Sequence, residues 1–362
     1  MKLMINNKNS PSFLSKANIS ISFDFETSAQ TQTSNIKSKM KSKIFSISNY
    51  LKFTNKDLSN GLGRGYGNRK GAEIILKLFK QYGINATWFC TGHALLKENI
   101  DRNAFRINQT LPYAVKEAGF TSATTWRKEK NSFYHEPFSD FKKYPYYYFG
   151  DLVEKMRDEG QDIQCHTFSH PYISMEPLEN IIIDLEDWQN TARRENLRPA
   201  NIFAFPFLGD YHYLNALTNM KVIPAFRKAG LEYKESYLGV NALKVLKEKG
   251  IELITRCGSV ENYNLFHGFK KYRNSDIYFM KDKPLLSFND KEEFKILLDE
   301  VVSNKGNLDL WLHPNDILEK YNYENFKSHV EQLVNYRDTD KIHLCTISEQ
   351  WNYYKENNKW II

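Results

Sequence analysis

His166 and His170 stand four residues apart in CHTFSHP, Cys165 to Pro171, directly after the strand-like run DIQC. Two imidazoles and a carboxylate make a typical catalytic zinc set, with one coordination position left for water. Pro171 disfavours an α conformation at His170, so a compact turn rather than a helix must bring both rings to one ion. HxxxH alone is a weak signal. It gains weight from a carboxylate pair in ISISFDFE, Ile19 to Glu26, where Asp24 and Glu26 alternate with Phe23 and Phe25. Side chains two apart on a strand share a face, so both acids leave the same side of that strand's C-terminal end. An ordinary half-exposed edge strand is the bland alternative.

Three further segments carry candidate chemistry. LDLWLHP, Leu308 to Pro314, ends a strand with His313. FAFPFLG, Phe203 to Gly209, ends one with Pro206, which stiffens the turn so that neighbouring amides such as that of Phe207 can face a ligand. GLGRGYG, residues 61–67, invites a phosphate-loop reading, but no strand precedes it and no GK[ST] follows. It reads instead as a flexible loop, with Arg64 as a substrate contact.

The elements that must position these residues alternate regularly. Strands are expected at 19–26, 85–90, 162–166, 201–206, 251–257, 308–313 and 342–346, and helices near 71–82, 151–159, 177–194 and 323–336. Another helix opens at Asp290 and Glu293 with capping-box spacing, and Ser348 is expected to cap a terminal one. Repeated βα units imply a parallel sheet, and this many suggest an α/β barrel, with an open doubly wound sheet as the alternative. In barrels the chemistry sits at the C-terminal strand ends, where Asp24, Glu26, His166 and His313 fall. Two segments, about 27–69 and 94–147, lack periodicity and read as long functional loops. The expected organisation is a single domain over 1–362, with its core at about 19–346.

Composition excludes several classes. The 362 residues are 41% hydrophobic and 26% charged, with a net charge of +7, so disorder is excluded and a nucleic-acid partner has little support. No run approaches the roughly 18 apolar residues that cross a bilayer, and the N-terminal stretch lacks a secretory h-region. Four cysteines without CxxC pairing read as buried reduced thiols, so a cytoplasmic protein is expected, with oligomerisation open.

In their order, SFDFE, HTFSHP, FAFPFLG and LDLWLHP resemble the polysaccharide deacetylase family, the NodB homology domain of carbohydrate esterase family 4, and NATWFCTGH looks like its second strand. The resemblance implies a distorted (β/α)7 barrel that hydrolyses N-acetyl groups from sugars with a divalent metal, commonly zinc. It makes His166 and His170 metal ligands with Glu26, Asp24 the general base, and His313 the general acid. Exchange of the Asp24 and Glu26 roles stays open. A backbone amide near Phe207 would hold the oxyanion. The sequence departs from the family where its arginine before the proline is replaced by Ala204, so Asp24 must be oriented from elsewhere, and no DxxDW-like segment is found to tune His313. The Asp-x-Glu form resembles relatives acting on cyclic amides. The expected substrate is an amino sugar or glycan precursor; a non-sugar amide and a catalytically silent sugar-binding barrel are the alternatives.

Overall fold

The computed structural model describes residues 16–27, 61–102, 138–170, 173, 178–206, 240–257, 268–272, 275–288 and 290–357. Strand β1 (Ala17–Phe25) is buried along its whole length and flanked on both sides. It therefore cannot be a half-exposed edge. Its odd residues Ile19, Ile21, Phe23 and Phe25 join the main apolar core, where Phe23 stacks on Trp88 at 4.3 Å between ring centroids. Its even residues turn into the barrel. Ser20 and Ser22 donate hydrogen bonds of 2.8 and 2.6 Å to the two carboxylate oxygens of Asp309. Small hydroxyls suit an interior that must hold a buried acid.

The parallel order continues through β2 (Thr87–Cys90), β3 (Asp162–Cys165), β4 (Ile202–Ala204) and β5 (Leu253–Thr255). The ring then closes through a divided strand. β6 (Lys270–Lys271) pairs antiparallel with β7 (Tyr278–Phe279), which runs parallel to β5. Two residues later β8 (Asp282–Pro284) pairs with β9 (Asn307–Leu312), which pairs with β1. Counting β7 and β8 as one position, the closed ring is β1-β2-β3-β4-β5-β7/β8-β9, a seven-membered α/β barrel as expected. The run 342–346 does not enter the ring. β10 (Ile342–Leu344) pairs only with the first residues of β1, and the place expected for it belongs to 278–284.

Helices cover the outside: α1 (Gly61–Tyr82), α2 (Gly150–Asp158), α3 (Leu178–Arg194), α4 (Val240–Glu248), α5 (Lys291–Ser303), α6 (Lys320–Asp338) and α7 (Ile347–Asn357). Asp290 caps α5 as expected, accepting from the N–H groups of Glu292 and Glu293. The cap of α7 is Thr346 rather than Ser348: the Glu349 N–H donates to Thr346 Oγ1, and the Thr346 N–H donates back to the Glu349 carboxylate. Ser348 instead accepts from Gln164 Nε2. Ile347, Trp351 and Tyr354 of α7 join Phe89, Ile202 and Leu253 in a second apolar cluster, which plugs the barrel below the polar mouth. All four cysteines are buried and unbridged. Among the described residues no helix is long and apolar enough to cross a membrane.

The glycine-rich segment corrects the sequence reading. GLGRGYG is the start of α1, so the aperiodic segment ends before it rather than at 69. Glycine disfavours helix by about 1 kcal/mol per residue relative to alanine, so packing must hold this end together. Gly65 and Gly67 are buried, and a Cβ on Gly71 would lie 1.9 Å from the Pro314 carbonyl oxygen. The helix backbone approaches the turn after β9 too closely for a side chain there. Of the segment 94–147, Ala94, Leu95, Leu96, Tyr146 and Tyr147 are buried, whereas Glu98, Ile100 and Lys142 are exposed.

Candidate active site

β1 delivers Asp24 and Glu26 to the C-terminal mouth of the barrel, β3 delivers His166, and β9 delivers His313. The turn after β3 brings in His170. Thr167 and His170 take φ of +63° and +58°, the compact turn that the sequence required in place of a helix. Asp184 of α3 fixes this turn by accepting from the N–H groups of Phe168 and Ser169 and from the Ser169 hydroxyl. Burial pushes the Asp184 carboxyl up to about 6, partly offset by those hydrogen bonds. The spacing Asp184-x-x-Asp187-Trp188 does satisfy DxxDW. Asp184 braces the histidine turn, however, while His313 has another partner: its Nδ1 lies 3.4 Å from Asp316 Oδ2, an oxygen that also accepts the His313 N–H.

Three imidazoles surround one carboxylate. Nε2 of His170, His313 and His166 lies 3.1, 3.6 and 3.7 Å from Glu26 Oε1. Glu26, His166 and His170 are 3%, 1% and 4% exposed. Burial raises the Glu26 pKa, but the charge of His170 and the His166 and His313 rings beside it overcome this and hold the carboxyl well below its ordinary value. His166 Nδ1 sits 2.9 Å from the Ala204 carbonyl oxygen. A carbonyl only accepts, so Nδ1 carries the proton and the Nε2 lone pair faces Glu26. Each of Glu26, His166 and His170 offers one ligand atom within 4.8 Å of the others. Two imidazole nitrogens with one preset tautomer, and a carboxylate oxygen, fit a divalent cation.

Asp24 belongs to a different network. Arg256 follows β5, and its φ of +58° turns it inward directly after Thr255. The guanidinium is 1% exposed and pairs with Asp24 Oδ1 at 3.2 Å, Asp282 at 3.0 Å and Asp309 at 3.1 Å, and it donates to Ser22 Oγ. Burial raises the Asp24 pKa, but Arg256, His166 and His313 outweigh it and hold the carboxyl below its usual range. Asp309, wholly buried, is pushed up to about 6 by burial despite Arg256. Trp311 lies under the same guanidinium, 4.7 Å from ring centre to Cζ, and meets the His313 ring edge-on.

Five of the expected site residues, Asp24, Glu26, His166, His170 and His313, thus converge. Pro206 is buried just beyond β4, whereas Phe207 lies outside the described residues. Arg64 is on the first turns of α1, not in a loop, and its side chain is outside the described set. His93 is buried against Tyr148 with Nδ1 3.3 Å from the Thr27 hydroxyl. Sequence reasoning missed Arg256, Asp309, Asp316 and Asp184. Asp316 was detectable, since it follows His313 at the i+3 spacing of a capping turn.

A family model described as polysaccharide deacetylase matches residues 65–233, which include His166 and His170 but not Asp24, Glu26 or His313. No curated protein matches the sequence. Among solved structures, a putative polysaccharide deacetylase from Mycobacterium smegmatis is 10% identical with a TM-score of 0.52, over 95% of this chain and 92% of that one. Puue allantoinase is 13% identical, also with a TM-score of 0.52, over 100% of this chain and 99% of its own. At such identities the likeness is one of fold. The resemblance to the polysaccharide deacetylase family is therefore shown, by the sequence match over residues 65–233 and by the shared α/β fold.

Proposed function

We propose that the chain is a metal-dependent hydrolase that removes an N-acyl group, acetyl first, from an amino sugar or glycan precursor. The observation that carries this reading is Glu26 ringed by His166, His170 and His313 beside an Asp24 kept ionised by Arg256. Glu26, His166 and His170 would hold the cation, with zinc favoured by two imidazoles and a carboxylate. When bound, it supplies Lewis acidity and brings the pKa of a coordinated water towards ~7.

The remaining chemistry belongs to side chains. Asp24, ionised and aimed by Arg256, accepts the proton of the attacking water. Glu26 is the worse base because its carboxylate is already taken up by three imidazoles. His313 receives the Asp316 carboxylate at Nδ1 and presents Nε2 to the departing amine, which needs a proton to leave. The N–H of Phe207, beyond Pro206, is the proposed donor to the oxyanion, and Arg64 a proposed substrate contact. The four buried, unbridged thiols suit the reducing cytoplasm in which we place the protein.

A non-sugar cyclic amide is a second reading, favoured by the Asp24-x-Glu26 spacing. The likeness in fold to Puue allantoinase supports testing it. The experiment is to load purified protein with Zn2+ and measure release of acetate from N-acetylated amino-sugar oligomers, against ring opening of a cyclic ureide. Metal-stimulated turnover of the first supports the proposal, and turnover of the second alone moves it to the other substrate class. Neither reaction, with no bound metal, leaves a silent sugar-binding barrel.

A further inference from the structure

Helix α1 reaches the mouth through a side chain that the chemistry above does not use. Asn68 is 0% exposed. Its Nδ2 donates to the main-chain carbonyl of Glu26 at 2.9 Å, and its Oδ1 accepts the N–H of Asn315 at 3.1 Å. A carbonyl only accepts and a backbone N–H only donates, so the partners fix the orientation of the amide. Those two backbone groups stand at the ends of the strands that carry Glu26 and, two residues before Asn315, His313. The β1–β9 ladder runs only as far as Phe23 and Leu312. Asn68 bridges the two chains where the ladder has stopped. The helix cannot drift from this position, because its backbone at Gly71 lies directly against the Pro314 carbonyl.

We propose that Asn68 is a positioning residue for the reaction, its amide setting the separation between the Glu26 carboxylate and the His313 imidazole. This rests on the hydrolase reading above. Asn68 touches neither substrate nor reacting atoms; it acts through the backbone of the two residues that do. Displacement of a catalytic group by about 1 Å can lower a rate by about 100-fold, so a lost bridge should be visible without unfolding.

The test compares Asn68→Leu with a control of like chemistry remote from the mouth. Asn325→Leu removes the hydrogen bond from Asn325 Nδ2 to the Phe288 carbonyl. Three quantities are read for each: kcat on an N-acetyl amino sugar, kcat on nitrophenyl acetate, and Zn2+ affinity of metal-free protein by chelator competition. Asn68→Leu should lower amide kcat by about 10-fold or more and ester kcat by less than about 3-fold, and weaken Zn2+ binding several-fold. Asn325→Leu should lower Tm and leave all three unchanged. If both variants lose amide and ester rates in equal proportion, tracking Tm, the proposal is overturned, as it is by an unaltered Asn68→Leu enzyme.

Should Asn68→Leu fail to fold, Asn68→Asp keeps an acceptor for Asn315 while removing the donor to Glu26. It should weaken Zn2+ binding and keep the amide-to-ester ratio, and unchanged Zn2+ affinity would sink the proposal. A wild type that binds Zn2+ but cleaves neither substrate would defeat the hydrolase reading, while the Zn2+ comparison would still decide for or against Asn68.

Discussion

Arg256 Nη2 lies 3.2 Å from Asp24 Oδ1, and the arginine is one residue beyond Thr255, the strand partner of Ala204. The family pattern asks for an arginine beside the proline of that neighbouring strand. The guanidinium has therefore changed strands and still reaches the acid. It also serves Asp282 and Asp309, so three carboxylates share one cation.

That sharing makes a prediction. Arg256→Met should be destabilising by about 3–5 kcal/mol, the range for leaving buried charges without a partner. Adding Asp282→Asn and Asp309→Asn should recover much of the lost Tm by restoring charge balance. Turnover should not recover, because Asp24 still lacks its guanidinium. Recovery of both would mean that Arg256 serves the fold alone.

The metal ligands and the base should separate by phenotype. His166→Ala, His170→Ala and Glu26→Gln should each lower bound zinc, measured by elemental analysis, with the circular dichroism spectrum largely retained. Asp24→Asn should keep the metal and lose about 10²–10⁴ in kcat, the range for a positioned general base. Exchange of the Glu26 and Asp24 phenotypes would exchange their roles.

Most of this mouth was legible because its groups stand at the ends of apolar strands, where alternation assigns each a face. That periodicity placed Asp24, Glu26, His166 and His313 at the strand ends, and only the family resemblance gave them roles. Arg256 did not announce itself: one arginine ending IELITRC reads as an ordinary polar boundary residue, and its inward turn depends on a positive φ that spacing does not encode. The ring-closing strand was missed for another reason. β7 and β8 are two and three residues long with no alternating run, and each is held by a different neighbour. GLGRGYG was misread because local propensity opposes a helix that tertiary packing against Pro314 imposes.

His313 should reveal its role through the leaving group. An amide releases a basic amine that needs a proton, whereas nitrophenyl acetate releases a stable anion. His313→Ala should slow amide cleavage by about 100-fold or more and ester cleavage far less. Asp316→Asn should give a smaller loss in the same direction, since it leaves the ring in place but removes the carboxylate at Nδ1. Equal losses on both substrates would make His313 a packing residue.

His329 links stability to pH from outside the site. It is 0% exposed on α6, with its ring 4.3 Å from that of Phe294 and 6.4 Å from that of Phe288. Burial lowers its pKa from 6.5, and the nearby Asp290 and Glu293 do not make up the difference. The folded chain therefore refuses a proton that the unfolded chain accepts. The stability from burying the neutral ring is intact above pH ~6.5 and declines as the pH falls below it, by at most about 1.4 kcal/mol per pH unit for one proton. Tm measured from pH 7.5 to 5 should fall more steeply for the wild type than for His329→Leu, whose other titrating groups are the same. Parallel curves would show that His329 takes up its proton in place, with the carboxylates of Asp290 and Glu293 compensating its burial.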